Sequence, residues 1–385
     1  MKAPAKLDCL DGMRGLAVLA VILFHHRLEC ESHVRSAFYG LLAPSRFGFL
    51  GVHLFLVLSG FCLTYSLIRR TRAARAPTLR RFLADRWWRI APPYYVAIAL
   101  YLLAASLQAD LGLPPLRAEP NTIRQVAMHV GFVHGLRGDT IEAINSPFWS
   151  LSLEFQFYAV LPLLFALSER LGYRWVIAGV AVLSLAWRAA VLRAMPSQTF
   201  LLHGFFLGRW AEFAFGMGVA SWYAGRDGRA QATPCVKVNG LLAAGCLLLV
   251  IGAGLSSRGA ILVVDTTVGA GFALILTATL LSSEAGGRLG QLVASPYLVR
   301  IGVISYSLYL THSLALAWID RGYARLVSRT SVATEVMLFV VAATLVWSIG
   351  WVYFQVVERR FVRSVDATTR GSGAWEPAIV GHAIA

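Results

Sequence analysis

Two histidines close an apolar run that contains an arginine near its start. His25 and His26 end the stretch formed by residues 7–28, and ten residues separate Arg14 from His25. Ionisable side chains in an apolar helix are rare, usually face the protein interior and are candidates for function. At about 1.5 Å per residue, Arg14 and His25 would lie about 16 Å apart along one helix, or about half of a hydrocarbon core. One helix could therefore contact something near each membrane face.

A carboxylate and a further imidazole occur in two later apolar stretches. Glu154 lies in SPFWSLSLEFQFYAVLPLL and His312 lies in ISYSLYLTHSLAL. The alternation of the helices predicts that both reach the outer half of the bilayer at the depth of His25. An imidazole can remove a proton from an alcohol, and a carboxylate can fix its tautomer and stabilise the imidazolium. A buried polar network that only locks helices together is the alternative, and the spacing favours chemistry.

Arginines also precede a pair of prolines. The segment RRFLADRWWRIAPPYY places Arg86 and Arg89 just before Pro92 and Pro93, which are tolerated in the first turn of a helix. Arginines beside a helix N-terminus can bind phosphate through bidentate bonds and the helix dipole. Arginine-rich loops also set topology and contact lipid headgroups without any further role. The pattern alone favours that second interpretation.

The elements that position these residues are expected to be membrane-spanning helices. The chain is 57% hydrophobic and only 14% charged, whereas soluble proteins have about 25% charged residues. An all-α polytopic membrane protein with about ten transmembrane helices is predicted, and Glu212 and Asp265 interrupt the sixth and eighth windows. The ten apolar windows of about 20 residues cover approximately residues 10–28, 48–67, 88–107, 148–167, 173–192, 204–223, 236–255, 261–281, 297–319 and 333–357.

Charge predicts the orientation of these helices. Residues 69–89 carry eight arginines and one acid, whereas residues 108–147 carry three arginines and four acids. Positive loops stay in the cytoplasm, so the even number of windows puts both termini there, as the basic run 358–363 also suggests. We expect a multi-pass protein of the bacterial cytoplasmic (inner) membrane. The net charge of +15 fits this topology better than nucleic-acid binding, because no nucleic-acid module is visible.

Other signals predict one integral membrane domain over residues 1–365 and a disordered cytoplasmic tail over residues 366–385. The first apolar run lacks a signal-peptide cleavage pattern and is interpreted as a retained helix. The long connection 108–147, with an amphipathic stretch at residues 123–133, is equally consistent with a lid or acceptor-binding segment and with a plain connector. No metal site is expected, because the five cysteines are scattered and suit small apolar fillers: Cys9, Cys30, Cys62, Cys235 and Cys246.

Several segments, taken in order, resemble the acyltransferase-3 family of bacterial membrane O-acyltransferases. The resemblance covers roughly residues 7–363 and includes members that modify O-antigen, Nod factors and macrolides. Each segment alone is weak, but together and in this order they are quite specific. They are LDGMRGLAVLAVILFHH, GVHLFLVLSGF at residues 51–61, RWWRIAPPYY at residues 86–95, FWSLSLEFQFYAVLPLL at residues 148–164 and ISYSLYLTH at residues 304–312.

The resemblance implies transfer of an acyl group, usually acetyl, from cytoplasmic acyl-CoA to a hydroxyl of a sugar or similar acceptor. The family's arginine–histidine pair falls on Arg14 and His25, and its glutamate falls on Glu154. His25 is then the expected general base, and Glu154 is its orienting or charge-stabilising partner. Arg14, Arg86 and Arg89 are expected to hold the phosphates of the acyl-CoA donor.

The acceptor side is less defined. His53 departs from the family pattern, in which an acid is more common at this position. It either alters acceptor preference or makes a neutral hydrogen bond, and we slightly favour the neutral hydrogen bond. His312, His53 and Tyr309 are the candidate acceptor contacts. The expected partners are membrane lipid, acyl-CoA and a carbohydrate or glycolipid of the cell envelope, with no nucleic acid.

Three alternatives stay open. The acceptor could be a macrolide or another secondary metabolite. A transporter or flippase of a glycan intermediate would also place charges inside a helix bundle, but it needs no histidine base and no cytoplasmic cofactor site. An inert structural assembly protein is a weaker option.

Overall fold

A computed structural model of the chain describes residues 7–30, 40, 42–110, 122–226, 235–326 and 332–361. Within these ranges the regular secondary structure consists of helices and contains no strand. The helices in chain order are α1 Asp8–Cys30, α2 Leu50–Arg72, α3 Leu79–Asp110, α4 Ile123–Val130, α5 Trp149–Leu171, α6 Tyr173–Ala194, α7 Leu201–Gly204, α8 Phe206–Ala224, α9 Cys235–Ser257, α10 Ile261–Glu284, α11 Arg288–Val293, α12 Pro296–Val303, α13 Ser305–Leu326 and α14 Val332–Tyr353.

Eight segments in the described ranges are long and apolar enough to cross a membrane, and each coincides with a predicted window. The all-α polytopic class is therefore confirmed. The expected tail at residues 366–385 lies outside the described residues, as do residues 111–121 of the long connection. The eight segments are Asp8–Leu28, Leu50–Arg72, Leu79–Leu107, Ser146–Leu171, Tyr173–Ala194, Val236–Ser257, Ile261–Glu284 and Val332–Phe361.

The two remaining windows correspond to α8 and to a broken helix. Helix α8 carries Arg209 and Glu212, which are both buried. The single helix expected over residues 297–319 is wrong, because the chain breaks at Ile304 between α12 and α13. Just before the break the chain packs closely on α1: a Cβ at Gly302 would collide with the Asp11 carbonyl. Helix α12 therefore packs directly against α1, and α13 begins as a separate helix at Ser305.

Small residues also bring α2 and α8 together. A Cβ at Gly60 would meet the Phe213 carbonyl, and one at Gly216 would meet the Val57 carbonyl. Helices in lipid associate through this kind of close backbone contact, because lipid tails are as apolar as leucine side chains. The α2–α8 pair thus forms a rigid wall beside α1, and the polar residues described below lie along it.

The connection before α5 folds inward and packs between α3 and α5. Its helix α4 begins with a capping box between Thr122 and Gln125, so the expected amphipathic stretch is helical in its first part. The Phe132 ring stacks on Phe155 with centroids 4.6 Å apart. The Ser152 hydroxyl donates to the Phe132 carbonyl at 2.7 Å. As a result, the chain enters α5 beside Tyr309 of α13, whose hydroxyl donates to the Pro147 carbonyl.

Helix α3 contains Pro92 and Pro93 in its interior, so the prediction that they occupy its first turn is wrong. Proline lacks an N–H donor and weakens the helix at this point. Neighbouring tyrosine hydroxyls donate to carbonyls of the same region, Tyr306 to Ile90 at 2.9 Å and Tyr353 to Pro93. Since α3 begins at residue 79, its N-terminal dipole does not act at the arginines that precede the prolines.

Candidate active site

His25 of α1 and His312 of α13 meet inside the helix bundle. Nε2 of His312 lies 3.3 Å from Nδ1 of His25, and the ring centroids are 4.9 Å apart. His312 is fully buried, whereas His25 is only partly buried. The predicted convergence of these two imidazoles is therefore found. His26 points elsewhere and packs edge-on against Phe339.

A cavity of about 380 Å³ opens beside His25. Its volume lies near the lower end of the range for pockets that hold small molecules. Of the predicted site residues, His25, His53 and Tyr309 line it directly. Its other walls are aromatic, apolar, polar or charged side chains: Val21, Phe24, Phe49, Val52, Ile141, Glu142, Pro147, Trp149, Arg188, Phe200, His203, Arg209, Ser256, Ile261, Val264 and Asp265.

Glu154 does not join the histidines. Its Oε1 accepts a hydrogen bond from the Tyr158 hydroxyl and a longer one, at 3.4 Å, from the Ser59 hydroxyl. Within the described residues no hydrogen bond or ion pair links Glu154 to His25 or His312. The expectation that Glu154 orients His25 directly is therefore not met by the geometry.

The depth of α5 explains this difference. The Ser150 hydroxyl lies 2.6 Å from the Tyr309 hydroxyl, so the first turn of α5 is level with a residue one turn below His312. Glu154 lies a further turn along α5 in the same direction. At about 1.5 Å per residue, the backbone of Glu154 is therefore displaced by about 10 Å from the level of His312, toward the N-terminal end of α13. The inward fold of the preceding connection causes this displacement.

Arg14 lies nearer the N-terminus of α1 than His25, on the same side of His25 and His312 as Glu154. Its guanidinium donates to the Asp11 carboxylate at 2.7 Å and to the Cys62 sulfur at 3.3 Å. Cys62 is one turn from Ser59 on α2, and Arg14 also interacts electrostatically with Glu154. We call the set Arg14, Cys62, Ser59, Glu154 and Tyr158 the polar column.

Arg86 and Arg89 approach the same column from α3. Both interact electrostatically with Tyr158 and with Cys62. The Arg86 guanidinium lies over the Phe82 ring at 5.9 Å, and its buried Nε has no hydrogen-bond partner among the described residues. We call the end of the molecule formed by residues 69–89 the arginine-rich face. Arg86 and Arg89 therefore lie beside the polar column, which contains Arg14, at the arginine-rich face.

His53 belongs to a buried ionic cluster beside the cavity. Nδ1 of His53 faces the Glu212 carboxylate, and its Nε2 lies 3.8 Å from Asp265. Two carboxylates therefore face His53, not the neutral partner that we favoured from the sequence. Arg209 pairs with both acids at 2.9 Å, and Arg188 pairs with Asp265.

The ionic cluster was missed from the sequence. In the sequence Glu212 and Asp265 only interrupt two apolar windows, and Arg188 and Arg209 fall in none of the segments that resemble the family. A signal was present, because charges inside membrane helices usually pair with one another. Their partners could not be chosen, since the four residues lie on three helices that are far apart in the sequence.

Two histidines outside the membrane-spanning segments have strongly altered pKa values. The surrounding protein at the cavity wall, with a contribution from the positive charge of Arg209, lowers the pKa of His203 to about 4, although the side chain keeps an exposed edge. Burial and the neighbouring His129 lower the pKa of His134 to about 3. The His129 and His134 rings stack in parallel with centroids 3.9 Å apart. Both altered residues are therefore neutral at physiological pH.

Comparison with known proteins agrees with the resemblance seen in the sequence. The family model described as "Acyltransferase domain" matches residues 7–353. A protein named membrane-bound transacylase BcsY from Komagataeibacter xylinus is 28% identical over 314 residues, covering 79% of this chain and 71% of that protein. Acyltransferase MdmB from Streptomyces mycarofaciens is 28% identical over 404 residues, covering 97% and 96%.

A third relative is matched over a shorter region. Peptidoglycan O-acetyltransferase OatA from Listeria monocytogenes is 28% identical over 157 residues, which cover 40% of this chain and 23% of that protein. No solved structure gives a significant match.

Proposed function

The chain belongs to the acyltransferase-3 family of membrane acyltransferases, and from this premise we propose that it moves an acetyl group from acyl-CoA to a hydroxyl of a cell-envelope or exported glycan. One observation carries the proposal: the His25 imidazole lines a cavity, and its Nδ1 is held by the Val21 carbonyl at 2.9 Å. This leaves Nε2 as the atom that can accept a proton.

The acceptor is proposed to occupy the cavity. Phe49, Trp149 and Phe200 supply aromatic surface, while Arg209 and Asp265 supply charge on the same walls. A sugar ring offers both apolar C–H faces and hydroxyl groups, so a mixed lining of this kind suits it. The relative named as a peptidoglycan O-acetyltransferase supports both the acetyl group and the glycan acceptor.

The donor is proposed to bind from the arginine-rich face. Arg86 and Arg89 lie beside the polar column there, Arg14 belongs to it, and guanidinium groups pair well with phosphates. Positive loops favour the cytoplasmic side, where acyl-CoA is made. We therefore place this face and both termini in the cytoplasm, with the protein in the inner membrane.

The proposed reaction needs one base and no metal. Nε2 of His25 takes the proton of the acceptor hydroxyl while the hydroxyl oxygen attacks the thioester carbonyl carbon. A C–O bond forms, the C–S bond breaks, and the departing thiolate takes the proton from His25. The products are the O-acylated acceptor and free coenzyme A. Glu154 adds to the negative charge that Asp11, the ion-pair partner of Arg14, already places beside that guanidinium.

The proposal is tested with purified protein in nanodiscs. We expect release of free thiol from acetyl-CoA that depends on added glycan acceptor, together with acetyl-bearing surface polysaccharide detected by mass spectrometry in cells that contain the protein. Thiol release with a macrolide acceptor but with no glycan would replace the glycan part of the proposal. Absence of release with any hydroxyl acceptor would overturn it.

A further inference from the structure

Only one tautomer of the neutral His312 ring fits the hydrogen-bond partners of its Nδ1. Its Nδ1 lies 2.8 Å from the Tyr309 carbonyl and 3.2 Å from the Leu308 carbonyl. Carbonyl oxygens only accept hydrogen bonds, so the proton must be on Nδ1. Nε2 of His312 is then an acceptor, and the Ser313 hydroxyl 3.3 Å away can donate to it.

The position of the proton on His312 determines which ring nitrogen of His25 is protonated. Nδ1 of His25 has two neighbours, the Val21 carbonyl at 2.9 Å and Nε2 of His312 at 3.3 Å. Both neighbours are acceptors, so Nδ1 of His25 must carry the proton of the neutral ring. Its Nε2 is consequently unprotonated, and the ring borders the cavity.

We propose that His312 is a positioning residue for the transfer reaction, because it holds His25 in the tautomer that acts as a base and stabilises the imidazolium formed when His25 takes a proton. This inference rests on the proposed function of His25. The proton removed from the acceptor goes to Nε2 of His25, and the Nδ1–H of the charged ring then donates to Nε2 of His312. No bond to hydrogen on His312 is made or broken.

The placement of the two rings supports this role. Val21 lies on the same helix as His25, and its carbonyl is also within reach of the backbone N–H of residue 25 in an α-helix. His312 comes from another helix and supplies an acceptor that is not shared with the helix ladder. Because His312 is completely buried, the Ser313 hydroxyl is the one other donor to that nitrogen among the described residues. A buried hydrogen bond to a charged group is stronger than one between neutral groups.

Two amide substitutions separate positioning from packing. In His312→Asn the amide lies where Nδ1 was, so it can donate to the Leu308 and Tyr309 carbonyls but no longer reaches His25. In His312→Gln the amide lies where Nε2 was, so its oxygen can accept from His25. We expect His312→Asn to lower kcat about a hundredfold with the acetyl-CoA KM within about twofold of the parent. His312→Gln should recover at least a tenth of the parent kcat.

The matched control is His26→Phe, which alters a buried histidine that packs on Phe339. It should keep kcat close to that of the parent. Nitrogen-15 NMR of histidine-labelled protein gives a second readout, with the His25 signals assigned by their loss in His25→Asn. We expect a single Nδ1–H tautomer of His25 in the parent and in His312→Gln, and a mixture of tautomers in His312→Asn.

Several outcomes would overturn this inference. They are an unchanged kcat in His312→Asn, equal loss of kcat in the Asn and Gln variants when both are folded by size-exclusion chromatography, and an Nε2–H tautomer of His25 in the parent. If only the Gln variant folds, a kcat far below a tenth of the parent value has the same meaning. Loss of activity in His25→Ala with normal activity in His312→Asn rejects this inference alone. Full activity in His25→Ala rejects the proposed function as well.

Discussion

At the scale of single residues, His25 differs from the other histidines near the cavity because it has an unprotonated ring nitrogen, Nε2, that can accept a proton. His53 faces two carboxylates, and His203 has a pKa lowered to about 4. Nδ1 of His25 faces acceptors, and its ring borders the cavity. A base needs an accessible lone pair within reach of the proton that it removes. His25 meets that condition, although its predicted carboxylate partner lies elsewhere.

The first prediction is that His25→Ala abolishes transfer while the protein still inserts and accumulates. Loss of a positioned base typically lowers turnover about a hundredfold to ten-thousandfold. The measurement is acceptor-dependent thiol release from acetyl-CoA, compared with His26→Phe as a folded control. Near-normal turnover of the variant would remove His25 from the reaction.

Glu154→Gln tests the polar column. The amide keeps the size of the side chain but removes the negative charge opposite Arg14. We expect turnover to fall and the affinity for acetyl-CoA, measured by calorimetry, to change with it, because Glu154 faces Arg14, a proposed donor contact, and does not contact His25. The control is Glu169→Gln, which alters an exposed carboxylate on the same helix that accepts from Tyr173. Loss of folded protein only in Glu154→Gln would favour a structural network over chemistry.

Arg86→Ala tests the donor site. Hydrogen bonds to charged groups contribute about 1.5–3 kcal/mol, so acyl-CoA affinity should fall about tenfold or more while the acceptor KM changes little. Arg86→Lys restores the charge but not the planar fork, and only partial recovery is expected. Arg80→Ala is the matched control, because Arg80 is exposed one to two turns earlier on the same helix. Equal donor affinity in the Arg86 and Arg80 variants would contradict the proposed site.

At the scale of elements, the connection between α3 and α5 decides where the site residues lie. Its inward fold is held by the Ser152 hydroxyl, which donates to the Phe132 carbonyl at 2.7 Å and receives the Gly135 N–H at 3.2 Å. Phe132 and Ile144 have positive φ angles of 56° and 61°, which are unfavourable for bulky side chains. The connection therefore depends on its packing between α3 and α5, and it sets the starting depth of α5.

A pH dependence follows for this connection. Burial lowers the pKa of His134 to about 3, whereas an unfolded histidine titrates near 6.5. Between these values the unfolded segment binds more protons than the folded one, so its free energy of unfolding rises with pH and falls on acidification. We expect amides of residues 122–148 to lose hydrogen-exchange protection between pH 7 and pH 5, after correction for the intrinsic exchange rate. Residues 286–295, which contain no histidine, should change little, and equal behaviour of both segments would contradict the prediction.

The helices themselves could be predicted because an apolar stretch of about 20 residues has few other stable states. The level of each helix along the bundle, and the breaks within helices, could not be predicted. The inward fold that lowers Glu154 depends on contacts between residues 122–148 and two distant helices. The break at Ile304 carries no proline or glycine at the break itself, and the close approach of Gly302 to α1 beside it is a tertiary contact. The pairing of Arg188 with Asp265 joins helices that only the fold brings together.

At the scale of the whole molecule, the proposed function needs its two substrates to approach from opposite sides. The arginines gather at the arginine-rich face, whereas the cavity lies at the level of His25, about 16 Å farther along α1 than Arg14. The acyl group must therefore travel along the polar column from the donor phosphates to the base. A protein oriented the other way round would present the arginines to a compartment without acyl-CoA.

The last prediction tests this orientation directly. In a background in which all five native cysteines are replaced by serine, Ala76→Cys marks the exposed loop between α2 and α3, and Ile123→Cys marks the exposed start of α4 at the other end of α3. A membrane-impermeant maleimide added to intact cells should label Ile123→Cys alone, because residues 69–89 carry eight arginines and positive loops stay in the cytoplasm. Both variants should react equally after the membrane is made permeable, which controls for local reactivity. Labelling of Ala76→Cys in intact cells would place the arginines outside, and a donor made in the cytoplasm could not then reach them.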